Sequence, residues 1–351
     1  MLNTHASLQG RCLIAPQQLK RQQPVSPVIN NQITACRLAL REEIEAGEGP
    51  LWIIAGPCSV HDEAATLDYA RRLVSLQQQL GSSVRLIMRV YVEKPRTCLG
   101  WKGMVYDPQR DGQVDMNEGL SRSRQLMLAV AALGLPLATE ALNPMLVPYF
   151  NDLISWYALG ARTTESQTHR EMASGLPGVI GFKNATDGGL DVAIHAMRAA
   201  AYPQVVTRIN EQGQLEEGLM PGNAFSHLVL RGGHSGPNYD ETSLLAASER
   251  LQTASLNPRV VVDASHANCG KVAERQVDVL KNLATQLRQG APLLGVMLES
   301  FIHSGQQPLQ AGEGQYGVSM TDPCLGWEAT EEALQHLAQS ARIARQSLVT
   351  N

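Results

Sequence analysis

Eight apolar, strand-like runs recur along the chain, and each is followed within a few residues by a potential metal ligand, a cation or a carboxylate. The runs begin at Leu51, Val84, Pro136, Trp156, Val179, His227, Val260 and Leu293. The residues that follow them are, in the same order, Cys58, Arg89, Glu140, Arg162, Lys183, Arg231, the pair Asp263 and His266, and Glu299. Continuous apolar runs are typical of parallel strands that are buried on both faces. Catalytic residues of an eight-stranded barrel concentrate at the carboxyl ends of its strands, so the pattern predicts a (β/α)8 (TIM) barrel with a catalytic rim.

The length of the chain agrees with one such barrel. The stretch from Leu51 to Glu299 spans about 250 residues, the usual size of this fold, within a chain of 351 residues. Helical periodicity between the runs, as at Leu67, Leu73 and Leu80, supplies the alternating helices. We therefore expect an α/β chain with a catalytic barrel over residues 51–351 and an N-terminal extension over residues 1–50.

Two segments depart from the alternation of strands and helices. The extension is rich in Gln and Pro from Leu13 to Val28, which predicts extended chain, and Ile33 to Ile44 then follow helical spacing. This arm and helix could plug the base of the barrel, contact a neighbouring subunit or carry regulation. Residues 204–223 contain two strand-like pieces around the turn Asn210-Glu211-Gln212-Gly213, which predicts an inserted β-hairpin.

Composition argues against several classes of protein. A formal net charge of −4 gives no sign of a nucleic-acid or anionic-membrane surface. No apolar stretch approaches the roughly 18 residues of a spanning helix, and the first residues do not read as a secretory signal. The six cysteines show neither zinc-ribbon spacing nor a disulfide pattern. A cytoplasmic, reduced protein is the simplest interpretation.

Four predicted strand ends carry cations, namely Arg89, Arg162, Lys183 and Arg231. A barrel would direct all four at one mouth, with Glu140 the nearby carboxylate. Buried cations need anionic partners. A single Arg at a strand end forms an internal ion pair at least as often as it contacts a ligand. Four together leave an excess of positive charge, and a substrate with phosphate and carboxylate groups would balance it.

A second basic cluster, Glu93-Lys94-Pro95-Arg96-Thr97, follows the second run. Taken alone it is typical of a surface turn with solvated charges. Beside the first cluster, it predicts a place for a second phosphate, held by Arg96 and the Thr97 hydroxyl.

Potential metal ligands follow three runs that become neighbours when the barrel closes. They are Cys58, His266 and Glu299, and Asp322 lies in the loop after the last of them. A thiolate, an imidazole and two carboxylates form a set of intermediate softness that suits Mn, Fe, Co or Zn. Each residue alone is more often structural than a ligand.

Several long motifs resemble those of the type I DAHP (3-deoxy-D-arabino-heptulosonate 7-phosphate) synthase family. They are Gly56-Pro57-Cys58-Ser59-Val60-His61, Arg89-Val90-Tyr91-Val92-Glu93-Lys94-Pro95-Arg96-Thr97, Gly160-Ala161-Arg162-Thr163-Thr164-Glu165-Ser166-Gln167, Gly181-Phe182-Lys183-Asn184, Leu230-Arg231-Gly232-Gly233, Ser265-His266-Ala267-Asn268 and Gly326-Trp327-Glu328. The likeness runs in order from about residue 15 to 345. It implies a transferase of the shikimate pathway that joins phosphoenolpyruvate to D-erythrose 4-phosphate and water and releases phosphate.

The resemblance also implies roles for individual residues. It assigns a divalent metal to Cys58, His266, Glu299 and Asp322, and phosphoenolpyruvate to Arg89, Arg162, Lys183 and Arg231, with Glu140 linked through water and Ala161 as a further substrate-binding residue. It assigns D-erythrose 4-phosphate to Lys94, Pro95, Arg96 and Thr97. Lys94, Lys183 and His266 are the expected catalytic residues, and either Lys94 or a water on the metal would protonate the developing alkoxide.

The family also implies feedback inhibition by an aromatic amino acid and a homodimer or homotetramer, with no nucleic-acid or membrane partner. The stretch Gly175-Leu176-Pro177-Gly178-Val179-Ile180 departs from the usual pattern where many relatives bind the inhibitor, so the effector is open. Two other interpretations remain: a related phosphoenolpyruvate-dependent sugar-acid synthase, and a non-catalytic sensor of an aromatic amino acid.

Overall fold

The computed structural model of the chain describes residues 10–309 and 314–349, with side chains as far as residue 346. The strands are β1 (Leu51–Gly56), β2 (Val84–Arg89), β3 (Leu137–Glu140), β4 (Ile154–Leu159), β5 (Val179–Lys183), β6 (Gln204–Ile209), β7 (Leu215–Met220), β8 (Ser226–Leu230), β9 (Val260–Asp263) and β10 (Leu293–Glu299). The helices are α1 (Pro16–Gln22), α2 (Pro27–Glu45), α3 (Glu63–Leu80), α4 (Met116–Ala132), α5 (Val147–Phe150), α6 (Gln167–Ala173), α7 (Asp191–Ala200), α8 (Glu241–Thr253), α9 (Arg275–Arg288) and α10 (Trp327–Val349). None of these described helices is long and apolar enough to cross a membrane.

Eight of the strands form one closed parallel barrel in the order β1-β10-β9-β8-β5-β4-β3-β2. The ring closes where β1 pairs with both β10 and β2. Every residue of β1 is buried, as expected for a strand covered on both faces. The predicted (β/α)8 barrel is confirmed, and all eight apolar runs are its strands.

The fourth strand of the barrel ends earlier in the sequence than was predicted. The apolar run that begins at Trp156 continues in the sequence to Ala161, which predicts a strand up to that residue, but β4 ends at Leu159. The amides of Thr163 and Thr164 both donate to the carbonyl of Gly160, 3.0 Å away, which closes a turn directly after the strand. Ala161 and Arg162 therefore lie in a loop at the mouth.

The N-terminal extension closes the base of the barrel. Leu40 of α2 is fully buried and packs with the interior residues of the barrel, flanked by Cys36 and Ile44. On the same helix, Arg37 donates to the carbonyl of Ile154 over 2.9 Å, at the start of β4. The helix thus plugs the base of the barrel, one of the three roles considered for this segment.

The prediction of extended chain from Leu13 to Val28 was wrong. Pro16 and Pro27 each stand at the first helical position, where a missing amide hydrogen costs nothing, and they begin α1 and α2. Leu19 is buried, and the Gln17 amide donates to the Glu211 carbonyl over 2.8 Å in the turn of the hairpin. Tertiary packing therefore selects the helix.

The inserted hairpin is confirmed. β6 and β7 pair antiparallel around the predicted turn, with Val205 opposite Leu219. They form a separate two-stranded sheet outside the barrel.

Candidate active site at the carboxyl end of the barrel

A cavity of about 580 Å³ occupies the carboxyl end of the barrel. Every residue predicted to bind substrate or metal, or to take part in catalysis, lines it. These residues are Cys58, Arg89, Lys94, Pro95, Arg96, Thr97, Glu140, Ala161, Arg162, Lys183, Arg231, His266, Glu299 and Asp322. The parallel arrangement accounts for the convergence, since all eight strands end at the same rim.

Three of the predicted ligands form a compact group. Potential donor atoms of Cys58, Glu299 and Asp322 all lie within 4.8 Å of one another. The fourth residue, His266, lies beside the group, with its Nε2 atom 3.9 Å from Oε1 of Glu299. One soft and several harder donors at this separation match the chemistry of a transition-metal site.

The ammonium group of Lys94 lies against this cluster. Its Nζ atom is 2.7 Å from Sγ of Cys58 and 2.7 Å from Oδ2 of Asp322. Burial would lower the pKa of Lys94, but the negative charge around it outweighs burial and raises that pKa. The arrangement of donor atoms therefore already attracts one cation, and its negative charge also suits a metal ion.

The Cys58 thiol needs a coordinated metal ion in order to ionise. Burial, assisted by the charge of Glu299 and Asp322, raises the pKa of this thiol to about 12. A coordinated metal ion deprotonates a thiol outright because its charge reverses this balance. The sulfur is thus poorly suited to act as a free nucleophile and well suited to be a ligand.

Positive charge dominates the cavity. Seven cations and three carboxylates line it. Arg89 pairs with Glu299 over 3.1 Å, and Lys183 pairs with the buried Asp263 over 2.7 Å. Among the described residues, the remaining side chains Arg96, Arg162, Arg231 and Lys271 form no ion pair with a carboxylate.

The pKa of Arg231 reflects this excess of charge. Burial lowers it, and although Asp263 opposes the shift, repulsion from Arg162 adds to it. An anion between the two guanidinium groups would relieve both penalties. The mouth is therefore built for anionic ligands.

Some residues at the mouth were not assigned a role from the sequence. Tyr91 places its ring under the Arg89 guanidinium, 4.0 Å from the ring centroid, in a cation–π contact. Asp263 joins Lys183 to His266, and Lys271 lines the cavity. The sequence does mark Asp263 as unusual, because it is a charged residue that ends an otherwise apolar strand.

Glu93 anchors the loop that carries Lys94. It is 7% exposed, accepts a hydrogen bond from the Tyr106 hydroxyl over 3.1 Å and another from the Asn143 amide over 3.4 Å. These contacts join the loop after β2 to the loop after β3. Burial raises the pKa of Glu93 to about 7, and repulsion from Glu140 adds to the shift.

Fold and site together define a barrel enzyme whose mouth combines a cluster of metal-ligand residues with an excess of cations. Comparison with known proteins identifies the family. Residues 18–335 match the model of the DAHP synthetase I family. The Tyr-sensitive phospho-2-dehydro-3-deoxyheptonate aldolase of Escherichia coli (strain K12) is 45% identical over 330 residues, which are 93% of this chain and 92% of that protein.

Two further relatives agree. The Trp-sensitive phospho-2-dehydro-3-deoxyheptonate aldolase of Enterobacter agglomerans is 44% identical over 93% of this chain and 94% of its own length. The solved structure of phospho-2-dehydro-3-deoxyheptonate aldolase from Francisella tularensis SCHU S4 superimposes with a TM-score of 0.94 at 36% identity, over 96% of this chain and 99% of that chain. The chain belongs to the DAHP synthetase I family. Its activity is the condensation of phosphoenolpyruvate with D-erythrose 4-phosphate, the first step of the shikimate pathway.

Glu93 generates a prediction about stability and pH. Its pKa of about 7 in the folded protein lies above the value of 4.5 for a free side chain. As pH rises between these values the unfolded chain loses a proton that the folded chain keeps, so the stability contributed by the protonated group is lost across this window. Glu93→Gln should therefore change stability little at pH 5 and raise it by about 1–3 kcal/mol at pH 8.

Urea unfolding of the metal-free protein at both pH values measures this difference. The matched control is Glu249→Gln, at an exposed position on α8. A pH-independent difference for Glu93→Gln, like that expected for the control, would contradict the prediction.

Proposed function

We propose that the cavity is divided into an inner metal and phosphoenolpyruvate site and an outer D-erythrose 4-phosphate site. The observation that carries this proposal is the gradient of burial among its cations. Arg89 and Lys183 are 1% and 6% exposed at the floor, while Arg96 is exposed at the rim. Two polyanions can lie side by side only if cations separate and neutralise them.

In the inner site, Cys58, His266, Glu299 and Asp322 would hold a divalent metal, and their donor set suits Mn, Fe, Co or Zn. The bound metal would supply Lewis-acid polarisation of the aldehyde oxygen. Since Lys94 contacts both Cys58 and Asp322, a bound metal would displace its ammonium from these two atoms, and Lys94 would then lie beside the metal site.

Phosphoenolpyruvate would lie between the floor and the cations that have no carboxylate partner. Arg89 and Lys183 would hold one anionic group, and Arg162 and Arg231 the other, with Ala161 packed at the edge. Guanidinium groups suit this task because they bind carboxylate and phosphate through paired hydrogen bonds. Glu140, at the end of β3, would orient a water near the substrate.

The outer substrate would bind along the loop of Lys94 to Thr97. Arg162 already donates to the Thr97 hydroxyl over 2.5 Å, which connects this loop to the loop after β4. Arg96 and Thr97 would take the phosphate, and Pro95 would restrict the backbone between them and Lys94. The aldehyde end of the substrate would then face Lys94.

The condensation follows from this arrangement. C3 of phosphoenolpyruvate attacks the aldehyde carbon, water adds at C2, and phosphate leaves by cleavage of the C–O bond. The Lys94 ammonium, which lies beside the ligand residues Cys58 and Asp322, would donate a proton to the alkoxide that forms. Lys183 and His266 would hold the reacting groups in place, which supplies most of the advantage of an intramolecular reaction.

The metal assignment predicts the behaviour of a histidine variant. His266→Ala should lower the affinity for Mn²⁺ at least about tenfold and phosphate release at least about a hundredfold, because a ligand is lost. Phosphate release with D-erythrose 4-phosphate, before and after treatment with a chelator and repletion with Mn²⁺, measures the activity. His195→Ala, at an exposed position on α7, is the control.

Full activity of His266→Ala in chelating buffer would refute the metal site. The same assay with D-arabinose 5-phosphate separates the related sugar-acid synthases, since the proposed outer site should prefer the shorter aldose. A faster reaction with the longer aldose would refute the proposed acceptor.

We also propose that an aromatic amino acid regulates the enzyme from a second cavity. This cavity, of about 340 Å³, lies between the hairpin and α6 and is lined by apolar residues such as Met172, Leu176, Val206 and Met220. It includes part of the 175–180 loop, where the sequence departs from the family pattern. The names of two relatives describe them as Tyr-sensitive and Trp-sensitive, which supports an aromatic effector without selecting one.

A cavity-filling variant tests this site. Val206→Trp should raise the concentration of the inhibiting amino acid needed for half-inhibition at least about tenfold, since the indole would occupy the cavity. Uninhibited activity should change little. Gln214→Trp, in the exposed turn of the same hairpin, is the control; tyrosine, phenylalanine and tryptophan are assayed separately. Equal inhibition of both variants would place the effector elsewhere.

We propose further that the hairpin contributes to a homodimer or homotetramer. Val205, Leu215 and Leu219 are 63%, 65% and 73% exposed on this hairpin, and clustered apolar residues of this kind mark interaction surfaces. The N-terminal extension adjoins it, because Lys20 of α1 pairs with Glu211 in the hairpin turn over 2.7 Å.

Light scattering measures the assembly. The wild-type protein should have the mass of a dimer or tetramer, and the double variant Val205→Glu/Leu219→Glu should have a smaller mass because charge is introduced into the contact. An unchanged mass in the double variant would exclude the hairpin as an interface.

A further inference from the structure

Asp263 occupies the point where the proposed metal and phosphoenolpyruvate sites meet. It ends β9 and its side chain is fully buried. One carboxylate oxygen, Oδ2, lies 2.7 Å from Nζ of Lys183 and 2.9 Å from Nδ1 of His266. One atom thus contacts a residue of each proposed site.

The other oxygen fixes the carboxylate itself. Oδ1 accepts hydrogen bonds from the Ser265 amide over 3.0 Å and from the Ser265 hydroxyl over 2.5 Å. The same hydroxyl lies 2.6 Å from Nδ1 of His266. Asp263 therefore cannot turn away from Lys183 and His266 without losing both bonds to Ser265.

The backbone of His266 shows that its position is imposed by its surroundings. Its φ angle is 58°, in the left-handed region that residues other than glycine rarely adopt. The Lys271 amide donates to the His266 carbonyl over 2.9 Å and stabilises this turn. Backbone strain of this kind persists only where neighbouring contacts hold it, and it concentrates at functional sites.

We propose that Asp263 is a positioning residue that holds the side chains of His266 and Lys183 in fixed positions relative to each other. One carboxylate would thus support both the metal site and the phosphoenolpyruvate site. The bond to Nδ1 would direct the Nε2 lone pair of His266 toward Glu299 and the other ligand residues. Carboxylates that accept from a ligand histidine act in this way on metal centres. The bond to Lys183 would aim that ammonium into the cavity. This inference rests on the proposed function.

The test uses Asp263→Asn, which keeps the shape of the side chain and removes its charge. Two measurements are made besides activity: Mn²⁺ affinity by competition with a fluorescent chelator, and phosphoenolpyruvate affinity of the metal-free protein by calorimetry. We expect Mn²⁺ to bind about 10–100-fold more weakly, and phosphoenolpyruvate to bind at least about tenfold more weakly, because the neutral amide would no longer hold the Lys183 ammonium in its present position.

Asp152→Asn is the matched control. Asp152 accepts from the fully buried Arg124 over 2.8 and 2.7 Å, and neither residue lines the cavity. This variant also breaks an ion pair, of which Arg124 is fully buried and Asp152 partly exposed, so it should lose thermal stability while keeping both affinities within twofold of wild type. The comparison separates a loss of positioning from a general loss of stability.

Ser265→Ala provides a second variant if Asp263→Asn does not fold. It removes the hydroxyl that touches both Asp263 and His266, so both affinities should fall, by smaller factors. For either variant, a fall in both affinities supports the proposal, and a fall in only one or in neither overturns it. Failure of the metal site as such would be recognised separately, because His266→Ala would then leave Mn²⁺ affinity unchanged.

Discussion

The closure of eight parallel strands into one ring is the constraint on which the rest of the structure depends. Parallel strands all end on the same side, so closure collects the residues after each strand around one mouth. Residues as distant in sequence as Cys58 and Asp322 come within hydrogen-bonding distance there, 3.3 Å apart. No local motif could assemble this set. The site is a property of the ring as a whole.

Charge imbalance is the second constraint, and it follows from the first. The ring brings together more cations than its carboxylates neutralise. Carboxylates pair with the buried cations: Glu299 pairs with Arg89, and Asp263 pairs with Lys183. The cations nearer to solvent have no carboxylate partner among the described residues, and water limits the cost of leaving them unpaired. Burial thus decides which cations of the mouth have a carboxylate partner.

Much of this arrangement could be predicted from the sequence, and the exceptions have physical reasons. The eight strands were predictable because strands buried on both faces have an apolar pattern without interruption. The mouth residues were predictable because each follows such a strand. Helix α1 was not, because Pro16 is compatible with both extended chain and a first helical turn, and only contact with the hairpin decides between them. The bridging position of Asp263 depends on the distance between β5 and β9, which cannot be predicted from a single sequence.

The plug formed by α2 has a consequence for how substrates and products enter and leave the cavity. With Leu40 sealing the base, the described part of the chain leaves the rim as the route for everything that enters or leaves. The exposed Arg96 and Arg162 lie at this rim, whereas Arg89 and Lys183 are buried deeper in the cavity. In the part of the chain that the structure describes, the cavity is thus closed at its base, so substrates and products have to pass the exposed cations at its rim.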